Sequence, residues 1–392
     1  MPSLRILVSP GRAGTLLNPF RFVNNSLQPP DASATEKAWA APLPRTLPHL
    51  PELDSLRAFA VALTLLAHWS PVKIPYAWYG VDIFFTISGF LITTILINSC
   101  CRSQPENRVH IIKHFMIRRT LRLFPIYYLF LICFWLAKRY LHLSLWQPNF
   151  TPYLFTYTPN FLFYKIGLEN GSCFSHLWSL GVEEQFYLFW PWVVLFTPAR
   201  FRAAVFIIVV GLSLGCHFVC YTDIRLGLLP FANFHTLGCG ALLACIYTEN
   251  GNVLKWLNAH CNAMFYLALL HLVAVLVLFN PGSASWHLYR EVSLCLCTFS
   301  IVLVSVVGWK GIIGCITRSG SLQYIGTISY GIYLFHMPIP NLYRVVFSKL
   351  HVTQLMPEGI LIFIYVLTTV LCASLSYKYI ETPFLRAKRF FA

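Results

Sequence analysis

The sequence predicts an all-α polytopic membrane protein, a bundle of about ten transmembrane helices. Hydrophobic residues make up 57% of the 392 residues and charged residues only 11%, whereas soluble domains contain about 45–50% apolar and about 25% charged residues. The apolar segments are continuous and about 17–22 residues long, as membrane-crossing helices require, whereas barrel strands would alternate over about ten residues. This composition excludes a water-soluble globule, and an aromatic content of 16% excludes a disordered chain.

Ten candidate spans, each bounded by polar residues or by proline and glycine, follow a polar N-terminal stretch. They are residues 54–70, 80–98, 121–138, 177–197, 203–220, 227–247, 262–279, 291–308, 321–341 and 358–377. Residues 1–50 contain no long apolar run, so we expect a flexible extension or a mis-assigned start there rather than a signal peptide. Residues 51–385 then form the membrane domain, and residues 386–392 form a short basic cytoplasmic tail.

The basic residues that give the net charge of +15 also predict the orientation of the chain. If the N-terminus is inside, the inner segments hold 20 Lys and Arg and the outer loops hold 8, with Arg57 inside the first span. Inner loops of membrane proteins are enriched in this way, so we expect both termini to be cytoplasmic. A distribution over short loops also argues against a nucleic-acid partner. The 13 cysteines form no Cys-x-x-Cys pair, and we expect no metal site.

Ionisable residues within the spans are the candidate functional residues, because charge inside a bilayer is costly. Arg57 and His68 in the first span are eleven residues apart, which places them on one helix face, roughly 16 Å apart along the axis. The structural alternative is an arginine that reaches the interface and a histidine bonded to a neighbouring helix.

Asp82 follows a short turn and is expected at about the depth of His68. A carboxylate there would hydrogen-bond one ring nitrogen of His68 and raise the basicity of the other. Alternatively, Asp82 interacts with the helix dipole at the start of the second span.

A basic cluster begins the third span. Arg118, Arg119 and Arg122 fall within one and a half helical turns, and a helix N-terminus with such side chains is suited to bind phosphate. A basic group at an inner helix start is also the ordinary positive-inside signal. Both interpretations remain open on these residues alone.

Two further ionisable groups are expected in the outer half of the bilayer. Glu183, in the fourth span, shares a helix face with His176 and Ser179, and bonding to an arginine is its structural alternative. His336 lies in the ninth span, where a single histidine is more often structural than catalytic. Together with the inner arginines, these groups suit a substrate that has an anionic inner end and a reacting outer end.

Five segments, in this order, resemble the membrane acyltransferase-3 family, bacterial-type enzymes that O-acylate sugars such as surface polysaccharides. They are LRAFAVALTLLAH, GVDIFFTISGFLI, RRTLRLFPIYY, HLWSLGVEEQFYLFWPW and ISYGIYLFHMPI, and a terminal ETPF completes the resemblance. The resemblance makes residues 51–385 an acyltransferase-3-like domain in a bacterial inner membrane. It implies acyl-CoA, usually acetyl-CoA, as a cytoplasmic co-substrate, no permanently bound cofactor, and a carbohydrate hydroxyl as the acceptor.

The resemblance also assigns roles to residues. The family's Arg-x10-His pattern matches Arg57 and His68, and its Arg-x-x-Arg pattern matches Arg119 and Arg122. We expect three groups of site residues. The catalytic ones are His68, Asp82 and Glu183. Those that hold the CoA phosphates are Arg57, Arg118, Arg119 and Arg122. Those that bind substrate are Trp178, Ser179 and His336. In the resulting hypothesis His68, oriented by Asp82, removes the proton from a sugar hydroxyl as that oxygen attacks the thioester.

One position departs from the family pattern. Before the Gly-Ala-Leu-Leu-Ala of the sixth span the family commonly has Arg and Asp two residues apart, but this chain has Asn233 and His235. That difference puts a charge pair at this place in doubt. Two other functions remain as alternatives. One is a multi-pass transporter or flippase of an envelope glycan precursor, which would use the same charges, and the other is a sensory or interaction protein.

Overall fold

A computed structural model describes residues 49–72, 77–102, 107–141, 147–219, 222–279, 283–349, 357–387 and 390. The regular structure of these residues is helical and contains no strand, which confirms the predicted all-α class. The helices, in chain order, are α1 (Pro51–Trp69), α2 (Tyr79–Arg102), α3 (Arg108–Leu141), α4 (Thr151–Phe155), α5 (Pro159–Ile166), α6 (Leu177–Phe196), α7 (Ala199–Val219), α8 (Pro230–Glu249), α9 (Gly251–Leu278), α10 (Ala284–Val307), α11 (Gly311–Thr317), α12 (Gly320–Thr327), α13 (Ser329–Phe335), α14 (Pro338–Lys349), α15 (Glu358–Ser376) and α16 (Thr382–Ala387). Most of the predicted extension, residues 1–48, lies outside the described residues, as does most of the predicted tail.

Seven of the described helical segments are long and apolar enough to cross a membrane: α2, α3, α7, α8, α9, α10 and the segment Glu358–Ala387. The predicted count of about ten spans is therefore not confirmed, although an integral membrane protein is. Helices α1 and α6 match the first and fourth predicted spans but lie outside this group of seven. Both are rich in the polar and charged residues that form the site described below, which lowers their hydropathy.

The ninth predicted span, residues 321–341, is not one helix. It consists of α12, α13 and the beginning of α14, and Pro338 starts the last of these. Proline has no N–H to donate and disfavours the helical conformation of the residue before it. The break accordingly falls at His336 and Met337. The imidazole of His336 therefore lies at the end of a short helix and not within a continuous span.

Helices α2 and α8 pack with their backbones in close approach. A Cβ on Gly89 would overlap the carbonyl of Leu237, and a Cβ on Gly240 would overlap the carbonyl of Thr86. Small residues allow this kind of contact in membrane proteins, where packing replaces the hydrophobic driving force between helices. Across α2, the indole nitrogen of Trp190 in α6 donates to Thr93 Oγ1 at 2.7 Å. Helix α2 is thus fixed on two sides.

The outer helices expose large apolar side chains. Leu212 of α7, Val277 and Leu278 of α9, and Phe363 of α15 are each more than 60% exposed. Such a surface would be unstable in water but suits the hydrocarbon interior of a bilayer. Many polar residues lie instead inside the bundle, and two groups of them are described below.

Candidate active site

A cavity of about 640 Å³ lies among α1, α2, α3, α6 and α13. Five of the ten predicted site residues line it: Arg57, Arg119, Arg122, Ser179 and Glu183. Apolar residues such as Phe84, Phe85 and Leu180 complete the wall, so charged and apolar side chains share the lining.

The three arginines come from α1 and α3 and are close enough to interact electrostatically with one another. Arg57 pairs with Asp54 one turn earlier, with 3.2 Å between Nη1 and Oδ1. The guanidinium of Arg119 lies over the ring of Tyr187, 5.2 Å from the ring centroid, a cation–π contact. Three positive charges around one cavity repel each other, and an anionic ligand would relieve this repulsion.

The arginines of α3 do not lie at a helix N-terminus, as the sequence analysis expected. Helix α3 begins at Arg108 and not near residue 121, so Arg119 and Arg122 lie about three turns inside it. Backbone N–H groups at that depth bond within the helix. The N-terminus of α3 therefore does not contribute to binding an anion in this cavity, and its arginines contribute through their guanidinium groups.

Glu183 is held by two hydroxyl groups. Its Oε1 accepts from Ser88 Oγ of α2 and from the phenol of Tyr187, one turn later in α6. Among the described residues no cation lies within ion-pair distance of Glu183, although Arg119 interacts with its charge. The structural alternative of a direct arginine pair is therefore not what the structure has, and the predicted catalytic role of Glu183 remains a prediction.

A cluster of three imidazoles lies beside the cavity. The ring centroids of His68 and His336 are 4.8 Å apart, and those of His336 and His176 are 4.9 Å apart, both edge to face. His68 comes from the end of α1, His336 from the break after α13, and His176 from the start of α6. Three distant parts of the chain thus bring their histidines into one row.

Backbone carbonyls fix the tautomers of two of these rings. His68 Nδ1 lies 2.9 Å from the carbonyl oxygen of Thr64, and His336 Nδ1 lies 2.6 Å from that of Tyr333. Because a carbonyl only accepts, each Nδ1 carries the hydrogen and each Nε2 keeps its lone pair. His336 Nε2 is buried without a hydrogen-bond partner among the described residues. Both rings can therefore act as proton acceptors at Nε2.

Tyr333 connects the histidine row to the cavity. Its ring centroid lies 5.3 Å from that of His336, and its hydroxyl lies 2.5 Å from Ser179 Oγ. Tyr333 and Ser179 both line the cavity. The cluster and the cavity are therefore adjoining parts of one site, cationic at one end and imidazole-rich at the other.

A family model described as an acyltransferase domain, that of the acyltransferase-3 family, matches residues 50–377. The chain belongs to the acyltransferase-3 family. The matched range contains every residue that lines the cavity and all three histidines of the neighbouring cluster.

Two curated relatives indicate what acyltransferase-3 proteins of this kind do. O-acetyltransferase OatA of Staphylococcus aureus is 30% identical over 361 residues, which cover 87% of this chain. Peptidoglycan O-acetyltransferase OatA of Listeria monocytogenes is 28% identical over 355 residues, which cover 86% of it. The chain spans only 58% and 56% of the length of these relatives. No solved structure matches the chain.

Not every predicted residue of this acyltransferase-3 chain reaches the cavity. Asp82 does not hydrogen-bond His68, because it faces the other way, toward the charges of His235, Arg290 and Glu291. The ring of Trp178 packs against Phe85, with centroids 6.3 Å apart, and Arg118 does not line the cavity.

Sequence analysis did not assign His176, Tyr187 and Tyr333 to the site. The signal for His176 was its position on the same helix face as Ser179 and Glu183. No comparable signal marks Tyr187 or Tyr333, since aromatic residues are common in every span.

Proposed function

We propose that this protein is an integral-membrane O-acetyltransferase that moves an acetyl group from cytoplasmic acyl-CoA to a hydroxyl of a sugar or surface polysaccharide. Membership of the acyltransferase-3 family supports acyl transfer. The names of the relatives support acetyl as the group and, for the Listeria protein, peptidoglycan as an acceptor. The observation that carries the proposal is the junction of an arginine-lined cavity with a row of histidines.

The arginine end is suited to the donor. CoA carries several phosphate groups, and guanidinium groups bind phosphate oxygens through paired, charge-assisted hydrogen bonds. Arg57, Arg119 and Arg122 would hold these phosphates. The roughly 16 Å between Arg57 and His68 along α1 is about the reach of an extended pantetheine arm, which would bring the thioester to the histidines.

The histidine end supplies the base. His68 Nε2 accepts the proton of the acceptor hydroxyl while that oxygen forms a bond to the thioester carbonyl carbon. The carbon–sulfur bond then breaks, and the CoA thiolate accepts from His68 the proton that came from the acceptor hydroxyl. The Thr64 carbonyl keeps Nδ1 protonated throughout, so the ring presents the same nitrogen in each cycle.

A covalent acyl-histidine would be a different route through the same residue. It would leave radiolabelled acetyl on the protein when acetyl-CoA is added without acceptor and the sample is quenched. Direct transfer, which we propose, leaves no such label.

The orientation follows from the charge bias of the loops. We place both termini in the cytoplasm and the protein in a bacterial inner membrane, with the arginine end of the site facing cytoplasmic acyl-CoA.

Two measurements test the proposed function. Cells that carry the wild-type gene, a deletion or His68→Ala are compared by mass spectrometry of envelope glycans, and release of free CoA is followed with purified protein. An acetyl-sized, base-labile increment that appears only with wild type is the expected result. His260→Ala, which changes an exposed histidine of α9, is the matched control and should retain the increment. Acetyl-CoA left intact by purified wild type with envelope extract would contradict the proposal.

A further inference from the structure

A second buried polar cluster lies where α7, α8 and α10 meet, away from the candidate active site. His217, His235 and Glu291 each offer one donor atom, and these atoms lie within 4.8 Å of one another. His235 and Glu291 are almost fully buried. Charged and imidazole side chains at such a position are costly unless they are compensated, so the cluster calls for an explanation.

The two imidazoles are oriented as metal ligands usually are. His217 Nε2 lies 2.7 Å from the carbonyl oxygen of Ala232, and His235 Nδ1 lies 2.8 Å from the same oxygen. Each ring thus donates one N–H to this carbonyl oxygen. The other nitrogen, Nδ1 of His217 and Nε2 of His235, is the one that can coordinate an ion. Metal-binding histidines almost always have such a partner, which fixes their tautomer and orientation.

The carboxylate of Glu291 is likewise oriented by a hydrogen bond, in this case from Arg290. Arg290 Nε donates to Oε1 at 3.0 Å, which leaves Oε2 directed at His235 Nε2, 3.2 Å away. Asp82 of α2 interacts electrostatically with both His235 and Glu291. The contact of His235 Nε2 with a carboxylate oxygen is a hydrogen bond through a proton on this nitrogen. A metal ion binds in place of such a proton, because its ligands must be deprotonated.

We propose that His217, His235 and Glu291 form a binding site for a divalent transition metal, with Zn²⁺ as the ion that fits best. Two histidines and one glutamate are a known zinc donor set, in which a fourth position stays open. Imidazole favours Zn²⁺ over Mg²⁺ and Ca²⁺, which prefer sites made of oxygen atoms.

The distances suit a tetrahedral ion. Donor atoms about 2.0–2.1 Å from Zn²⁺ lie about 3.3 Å apart in tetrahedral geometry, and the separation of His235 Nε2 from Glu291 Oε2 already matches this. The widest separation in the set, at most 4.8 Å, would have to shorten by about 1.5 Å. Rotation of the half-buried ring of His217 supplies such a movement, because this residue lies near the end of α7.

The cluster also shows what Asn233 and His235 do at the positions where the family commonly has Arg and Asp. A charge pair was in doubt at Asn233 and His235, but His235 does bond to Glu291. Asn233 instead donates to the carbonyl oxygens of Gly227 and Leu229 and closes the turn before α8.

Zinc binding by the full-length protein tests the proposal without reference to activity. The protein is purified in detergent with a tag that contains no histidine, kept reduced, treated with a chelator and exposed to Zn²⁺ against a fluorescent competitor. Stoichiometric zinc in the wild type is the expected result. His217→Ala and Glu291→Gln each remove a proposed ligand and should weaken binding by at least about 100-fold, the upper end of what loss of a second-shell partner costs. His260→Ala, on the surface of α9, should bind as wild type does.

Two further readouts keep the test decisive. Co²⁺ in the same site should give the visible absorption bands of a four-coordinate ion in wild type and lose them in Glu291→Gln. Size-exclusion chromatography shows whether each variant is folded. Failure of folded wild type to bind Zn²⁺ would overturn the proposal and leave a plain His235–Glu291 ion pair. Binding that survives both ligand substitutions would also overturn it, by placing the zinc elsewhere among the 13 histidines and 13 cysteines of the chain.

Discussion

His68 is held by a carbonyl of its own helix and not by a carboxylate. The sequence predicts a functional role for this residue, because an ionisable side chain inside an apolar span is costly and uncommon. It assigned the wrong orienting partner, since a hydrogen bond to the carbonyl four residues earlier leaves no trace in a sequence. Thr64 provides that carbonyl, and any residue at position 64 would do the same. The tautomer of His68 is therefore a property of helix α1 itself.

The first prediction concerns the base. His68→Ala should lower kcat by about 10²–10⁴, the usual contribution of general base catalysis, without loss of folded protein, because the ring is only half-buried. Acetyl-CoA consumption by purified protein measures the rate, and thermal unfolding measures stability. Equal rates in His68→Ala and His260→Ala would remove His68 from the mechanism.

A second prediction concerns the donor end of the cavity. Arg119→Ala should raise the KM for acetyl-CoA while kcat stays within a few-fold, because a phosphate contact made equally in ground and transition states changes binding alone. Arg139→Ala removes an exposed arginine from the same helix and should leave the KM unchanged. A fall in kcat at constant KM for Arg119→Ala would instead place this arginine at the reacting atoms.

Among the helices, the break after α13 is the feature that the hydropathy of the sequence did not predict. Residues 321–341 are mostly apolar, and a hydropathy pattern cannot separate one long helix from three short ones. Pro338 and Pro340 were visible in the sequence, but prolines also occur inside the regular helices α3 and α6. Whether a proline bends a helix or ends it depends on the neighbouring helices that stabilise the freed carbonyls.

A third prediction tests the close contact between α2 and α8. Gly89→Ala should sharply reduce the yield of monodisperse protein, because the new methyl group meets the backbone of α8 and has no flexible neighbour to displace. Gly211→Ala makes the same chemical change in α7, where no atom lies within 4 Å of the new Cβ. This control should express like wild type in fluorescence-detected size-exclusion chromatography. Similar profiles for both variants would show that α2 and α8 can separate without cost.

For the molecule as a whole, composition was sufficient to predict the fold class, and five predicted residues line the cavity. The fold class and the position of these five residues depend on properties of single helices, namely hydropathy and the spacing of residues on one face. The direction of Asp82 and the meeting of His68, His176 and His336 depend on how helices rotate against each other. That rotation is set by contacts such as Gly89 with Leu237, which join residues far apart in the chain.

The fourth prediction concerns topology. Reporter fusions that are active only on one side of the membrane should place the N- and C-termini on the same, cytoplasmic side, as the excess of basic residues in the inner segments requires. A fusion after Phe279, in a loop predicted to be external, is the internal control and should report the opposite side. Termini on opposite sides would mean an odd number of crossings and would contradict the orientation proposed for the donor.

Ser88 and Asp82 both belong to α2. Ser88 lines the cavity, and Asp82 interacts with the charges of the second cluster. Any shift of α2 that accompanies ion binding therefore also changes the cavity proposed for the acyl donor. Thermodynamic linkage then requires reciprocity: the factor by which Zn²⁺ alters the affinity for acyl-CoA equals the factor by which acyl-CoA alters the affinity for Zn²⁺. Zinc titrations with and without acetyl-CoA measure that factor, and a value of one would mean that α2 does not couple the two sites.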